Sequence, residues 1–250
     1  MSITSIWEGV YASFAEADGN NDAFDTEMWI QKQLHTIQKY DATEHRIGIS
    51  KDYPLPLVTA PLLLTKDMVS ILDFGGGMGQ QYFELISTVP QALKQVEYHV
   101  VDGHATIKNR PVFLNNYQNL HFYDHYQNIS KIQVDILHIG STLQYIETWA
   151  SLLLDLTKNF NPSLIVLSDL MAGQIPSFVC HQNFYDKKIP VMMINIDEIT
   201  DLIESFGYKT IYRSHYLPTI LGQHELPNSA LPEKYRFKHP YNIVFQKVTK

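Results

Sequence analysis

The sequence predicts an α/β fold: a seven-stranded, mostly parallel sheet with an antiparallel C-terminal hairpin, preceded by a helical N-terminal cap. Three observations predict it. Apolar strand-like runs alternate with helix-like periodicity from Val69 onward. The first of these runs opens into a glycine-rich turn. The last two runs, Tyr208 to Tyr216 and Tyr241 to Val248, have no helical pattern between them.

Residues 1–66 are expected to form the cap and 67–250 the main domain. In the cap, Asn21-Asp22 offers a helix start, and Ile30, Leu34 and Ile37 follow at helical spacing. The stretch Tyr53-Pro-Leu-Pro-Leu-Val-Thr-Ala-Pro61 carries three prolines and is read as irregular. Gly9-Val-Tyr-Ala-Ser-Phe-Ala-Glu-Ala17 offers aromatics that either cover a ligand or pack the cap onto the core; the second reading is preferred.

The first strand is Val69 to Leu72. The helix after it presents Met78, Tyr82, Leu85, Ile86 and Val89 on one face and stops at Pro90. Val96–Asp102, Leu120–Asp124 and Gln133–Ile139 are the next three strands. A helix carrying Leu143, Ile146, Ala150 and Leu153 ends near Asn161-Pro162. Ser163–Asp169 is apolar enough to be a strand buried on both faces. Asp197 starts a helix with Ile199, Leu202, Ile203 and Phe206 on one side, and Gly207 stands at its C′ position.

The glycine turn, Asp73-Phe-Gly-Gly-Gly-Met-Gly79, lets a ligand touch backbone and aims the N–H groups of a helix at it. A dinucleotide fingerprint would need glycine three places after Gly77, where Gln80 stands. The acid two residues before Gly75 repels a pyrophosphate and suits an ammonium. These residues resemble motif I of class I methyltransferases that use S-adenosylmethionine (SAM). The strand count matches the Rossmann-like plan of that family.

The resemblance implies SAM as cofactor, with Gly75, Gly76, Gly77 and Gly79 forming the turn. Asp73 is assigned to the methionine ammonium, directly or through a water. Asp102, 23 residues after Gly79, stands where a carboxylate accepts from both ribose hydroxyls. Asp124 is assigned to the adenine amino group, with a turn-forming role as its alternative. Ser141, after strand four, is counted with the cofactor residues.

Methyl transfer is an in-line displacement that chiefly needs alignment, and a hydroxyl acceptor gains from a general base. Candidates lie in Gly140-Ser-Thr-Leu-Gln-Tyr145, at Asp169 and in His181-Gln182. Gln144 and Tyr145 stand where the family often has Glu and His. Tyr145 and His181 are therefore the catalytic candidates. His181 is preferred as base on a loop-like stretch, against the alternative of a solvated imidazole. His138 reads as a satisfied core histidine. No metal-binding spacing is present among the eleven histidines, and no metal is expected.

Further segments are similar to a group of bacterial methyltransferases associated with surface-polysaccharide gene clusters. They are Gly9–Ala17, Ser-Phe-Val-Cys-His-Gln-Asn-Phe-Tyr, Leu-Pro-Glu-Lys-Tyr-Arg and Asn-Ile-Val-Phe-Gln-Lys. That likeness implies a carbohydrate acceptor, a sugar or nucleotide-linked sugar, with Gln182 and Asn195 binding it. A degenerate SAM-binding module acting as an assembly subunit is the alternative function. A nicotinamide oxidoreductase is disfavoured by Gln80 and Asp73.

Net charge is −7 with no basic run, which disfavours a nucleic-acid substrate. Cys180 is the only cysteine, so no intrachain disulfide is possible, as suits a reducing compartment. The opening Met-Ser-Ile-Thr-Ser-Ile-Trp-Glu lacks a basic, then apolar, leader, and no apolar run reaches the ~18 residues of a membrane span. A cytoplasmic protein is expected. Oligomeric state and the methylated atom are not written in the sequence.

Overall fold

The computed structural model describes residues 5–19, 22–41, 54–130, 132–184, 187–220 and 222–248. Its contacts divide the chain into two units. One comprises Phe24–Gly140 and Asn159–Val166; the other comprises Met1–Ala23, Ser141–Lys158 and Leu167–Lys250. Strands and helices are labelled below in chain order.

The N-terminal region holds β1 (Trp7–Tyr11), α1 (Phe14–Ala17), α2 (Glu27–Asp41) and α3 (Pro54–Leu63). Two expectations are corrected here. The region is not wholly helical, because β1 pairs antiparallel with a strand some 170 residues later. The proline-rich stretch from Pro54 is a helix and not an irregular segment. Pro54 and Pro56 fall in its first turn, where backbone N–H groups have no intrahelical partner to lose. Pro61 lies inside the helix near its C-terminal end, where it removes one bond of the ladder. The expected helix start at Asn21-Asp22 lies partly outside the described residues; a short 3-10 turn, Ala23–Asp25, precedes α2.

The alternating part follows the expected order with shifts at the ends, the largest in the helix expected to carry Leu143 and Ile146: it starts at Trp149, with Leu143 in a 3-10 turn and Ile146 at the C-cap of that turn. It runs β2 (Val69–Phe74), α4 (Gln80–Thr88), α5 (Ala92–Gln95), β3 (Val96–Val101) and α6 (His104–Lys108). Next come β4 (Leu120–Tyr123), β5 (Ile136–Gly140), α7 (Trp149–Phe160) and β6 (Leu164–Leu170). β5 begins three residues later than its apolar run suggests. Tyr82, Phe83, Leu85 and Ile86 form the buried face of α4, and Tyr40 of α2 lies against Phe83 with ring centroids 4.9 Å apart.

Between β6 and the next long helix lie three strands absent from the sequence reading: β7 (Ala172–Gly173), β8 (Phe178–Phe184) and β9 (Lys187–Asn195). Then follow α8 (Ile196–Ser205), β10 (Tyr208–His215) and β11 (Tyr241–Lys247). Gly207 closes α8 with φ of 90°, its N–H donating to the Glu204 carbonyl at 3.0 Å.

The seven-stranded sheet has the order β10-β11-β6-β5-β2-β3-β4. β2 is parallel to both β3 and β5, β3 is parallel to β4, and β10 and β11 form the antiparallel pair. Chain progression runs one way from β2 through β3 to β4, then resumes on the other side of β2 with β5. The switch point therefore falls at the carboxyl end of β2, where open parallel sheets bind ligands. A second, four-stranded sheet has the order β1-β8-β9-β7. Among the described residues no helix is long and apolar enough to cross a membrane.

Candidate functional site

β2 leads directly into the glycine turn. The Gly75 N–H donates to the Val101 carbonyl at 2.8 Å, tying the turn to the end of β3. Gly77 has φ of 60°, a conformation that favours glycine, and its N–H donates to Asp102 Oδ2 at 2.8 Å. Gly76 has no such φ but is excluded from carrying a side chain. A Cβ there would overlap the Asp73 carboxyl group and lie 3.1 Å from Val100 Cγ1. Gly79 is the N-cap of α4.

The three predicted acids have three different environments. Asp73 is 1% exposed. Its Oδ2 accepts from the Tyr98 hydroxyl at 2.8 Å, and its Oδ1 meets His138 Nδ1 at 2.7 Å. Burial, and the neighbouring Asp73, push the Tyr98 phenol well above its usual range. The carboxyl group assigned to the methionine ammonium is thus buried within the sheet, with a partner at each oxygen that β3 or β5 places beside it.

Asp102, just beyond β3, is half-buried and takes N–H groups from Gly77 and Gly103, each at 2.8 Å. Burial raises its pKa, opposed by those two N–H groups and by Thr106, while Asp73 adds to the rise. Asp124 follows β4, 3.0 Å from His104 Nδ1 and accepting from Asn128 Nδ2 at 3.0 Å. The His104 bond holds it below the usual carboxylate range.

The remaining candidates belong to the other unit. Ser141 follows β5 with φ of 50°; its N–H donates to the Ser168 carbonyl at 2.9 Å, and its hydroxyl accepts from Gln144 at 3.3 Å. Asp169 has φ of 48°, and its N–H donates to the buried Asn242 at 3.0 Å. The Tyr145 hydroxyl donates to Gln182 Oε1 at 3.0 Å, and burial followed by the nearby Asp169 raises its pKa.

His181 lies within β8, paired with Glu8 and Pro190, and not on a loop as expected. Its Nε2 stands 3.0 Å from the Asp18 carbonyl, which only accepts, so Nε2 carries a proton. In the neutral ring Nδ1 then accepts from the Tyr11 hydroxyl at 3.3 Å. Cys180, next to it, is fully buried, and burial pushes its thiol to about 12.

Asn195 is a helix cap. Its Oδ1 accepts from the Asp197 and Glu198 N–H groups at 2.8 and 3.1 Å, and its Nδ2 donates to the Ile175 carbonyl at 2.8 Å. The residue expected to bind the acceptor thus caps α8, with one N–H of its amide left over.

Gly75, Gly76, Gly77, Gly79 and Asp102 stand together at the end of β2. Gln33 of α2 joins them unforeseen: a Cβ on Gly77 would lie 3.0 Å from its Oε1. Nothing in the sequence of α2 marks it. Tyr11 at His181 was readable only as one of several N-terminal aromatics. The buried, satisfied state of His138 agrees with its reading as a core histidine, although its partner Asp73 was not foreseen.

The acceptor Asp102 beside a side-chain-free turn fits a ligand with hydroxyls and a portion that packs on backbone. The turn excludes side-chain atoms, and an acid follows the adjacent strand at Asp102. No family model and no curated protein matches this sequence. Solved structures do. The 1,6-didemethyltoxoflavin-N1-methyltransferase of Burkholderia thailandensis, solved with 1,6-didemethyltoxoflavin and S-adenosylhomocysteine, is 10% identical with a TM-score of 0.54, covering 91% of this chain and 88% of its own. The glycopeptide N-methyltransferase MtfA, in complex with S-adenosylhomocysteine, gives 8% and 0.53 over 90% and 99% of the two chains. The CcbJ methyltransferase of Streptomyces caelestis gives 10% and 0.51 over 87% and 98%. At such identities the likeness is one of architecture: the chain has the Rossmann-like fold of these SAM-dependent methyltransferases.

Proposed function

We propose that this chain is a SAM-dependent methyltransferase that acts on a small polar acceptor. The observation that carries the reading is the Gly75–Gly79 turn at the β2 switch point, with Asp102 following the adjacent strand and bonded to Gly77. The turn and Asp102 would hold the nucleoside, Asp102 through its ribose hydroxyls. SAM supplies an already activated methyl group on a sulfonium, so the protein's task is binding and alignment. The structural neighbours solved with S-adenosylhomocysteine support this choice of cofactor.

The acceptor is a sugar or nucleotide-linked sugar of surface-polysaccharide biosynthesis in the cytoplasm, on the strength of the sequence likeness described above. Neighbours named for 1,6-didemethyltoxoflavin and for a glycopeptide are compatible with a small polar acceptor. Gln182 and Tyr145 form a bonded pair suited to orienting a hydroxyl. His181 remains the candidate base through Nδ1. The Tyr11 hydroxyl must be displaced from it, or must pass the acceptor's proton on. Ser141 and Asp124 are retained as outer cofactor contacts, and residues 1–66 as a cap.

Calorimetry with S-adenosylhomocysteine and with NAD tests the reading. Binding of the first and not the second is expected; preference for NAD would overturn it. Transfer of a labelled methyl group to a panel of nucleotide sugars then tests the acceptor. One observation favours the non-catalytic module: both ring nitrogens of His181 are engaged within the protein. Cofactor binding without transfer to any acceptor would support that second reading.

A further inference from the structure

Asp73 is 1% exposed, and each of its oxygens has a partner within the sheet. In register it stands opposite His138 on β5 and Val100 on β3, and Tyr98 lies two residues before Val100 on the same face. The parallel pairing thus places a hydroxyl and an imidazole nitrogen at the two oxygens of one carboxyl group, beneath the peptide of Gly76. Rotating Asp73 outward would leave the fully buried Tyr98 hydroxyl without its hydrogen-bond acceptor.

Gln33 is in the opposite situation. It is half-buried on α2, its carboxamide comes up to Gly77, and it has no hydrogen-bond partner among the described residues. A carboxamide offers a carbonyl to an ammonium and an NH₂ to a carboxylate, the two ends of an amino acid. A polar group held at a backbone turn without a protein partner is placed to be satisfied by something bound there.

We infer that Gln33 reads the amino-acid end of the bound sulfonium nucleoside, and that Asp73 is a positioning residue that holds the glycine turn through Tyr98 and His138. The inference rests on the methyltransferase reading above. It moves the recognition of the zwitterion from the strand acid to the N-terminal helix.

The test compares two ligands by calorimetry: S-adenosylhomocysteine, and 5′-methylthioadenosine, which keeps the nucleoside and lacks the amino-acid end. Measurements are made where circular dichroism shows each variant fully folded. Gln33→Ala and Gln33→Leu should weaken S-adenosylhomocysteine by about 10-fold or more, as for a lost charge-assisted bond, and shift methylthioadenosine by less than about 2-fold. Asp73→Asn and Tyr98→Phe should weaken both ligands by the same factor. Tyr98→Phe keeps the ring and carries that arm if Asp73→Asn does not fold.

A selective loss of S-adenosylhomocysteine in Asp73→Asn, with the Gln33 variants unchanged, would return the role to Asp73 and overturn the inference. Unchanged affinities in folded Asp73→Asn or Tyr98→Phe would overturn the positioning half. If the wild type binds both ligands and the Gln33 variants alter neither or both alike, the inference fails while the methyltransferase reading stands. If the wild type binds neither, both fall.

Discussion

The glycine turn and the β1-β8-β9-β7 sheet organise their polar groups in opposite ways. At the turn the bonds are made by backbone N–H groups, Gly75 to the Val101 carbonyl and Gly77 to Asp102, and the nearest acid, Asp73, is drawn inward. In the small sheet and its surroundings the useful groups are side chains paired with one another or with the backbone. Tyr145 bonds Gln182, His181 lies between Tyr11 and the Asp18 carbonyl, and Lys188 pairs with Glu8. A site made of backbone has no room for an added atom. A site made of side chains tolerates changes that keep shape, and loses one bond at a time.

The largest effects should come from forcing that contrast with a single methyl group. Gly76→Ala collides with the Asp73 carboxyl group and should abolish S-adenosylhomocysteine binding as well as costing about 1–3 kcal/mol in a urea titration. Gly173→Ala, whose Cβ would lie 2.9 Å from Phe237 Cβ, should cost a similar amount of stability and leave nucleoside affinity unchanged. Equal binding losses in both would erase the distinction between the two regions.

Asp102→Ala should weaken S-adenosylhomocysteine by about 10–150-fold, measured by calorimetry. Its effect on the free protein has a definite sign. Burial raises the Asp102 pKa above its unfolded value, so its charge opposes folding above the folded-state pKa, and that penalty is relieved as pH falls through it toward 3.8. Asp102→Asn should therefore gain stability relative to the wild type at neutral pH. The gain should shrink on acidification through that window, followed by thermal melts.

Smaller effects belong to the other unit. Asn195→Ala removes the α8 cap and should cost about 1 kcal/mol, with Asn195→Ser restoring most of it and neither changing the acceptor KM. Tyr145→Phe should cost about 0.5–1.5 kcal/mol through the lost bond to Gln182, with nucleoside affinity intact. A fall in turnover without a fall in stability would instead mark the Tyr145 hydroxyl as part of the chemistry.

The difference between the regions also explains what could be read in the sequence. β2, β3 and β6 are buried nearly throughout, so they appear as apolar runs, and glycines mark the turn after β2. β8 and β9 carry His181, Gln182, Asn183, Lys187, Lys188 and Pro190, a composition that hides a strand. β1 finds its partner across most of the chain, and no local pattern encodes such a pairing. α3 was hidden by prolines whose positions, and not their number, decide whether a helix forms.

Within the site, Asp102 was legible because its position depends only on strand length and spacing. The inward turn of Asp73 was not. It depends on which residues of β3 and β5 fall opposite it, and register is a property of the assembled sheet. Gln33 was invisible for a related reason, since nothing local distinguishes it from other polar residues of an amphipathic helix.

The sealed thiol of Cys180 gives the protein a built-in clock. Held on β8 opposite Val191, out of reach of solvent and with its proton firmly retained, it cannot be alkylated until β8 lifts from its neighbours. Because the sequence holds no other sulfhydryl, labelling of the intact chain reports the openings that expose this one site.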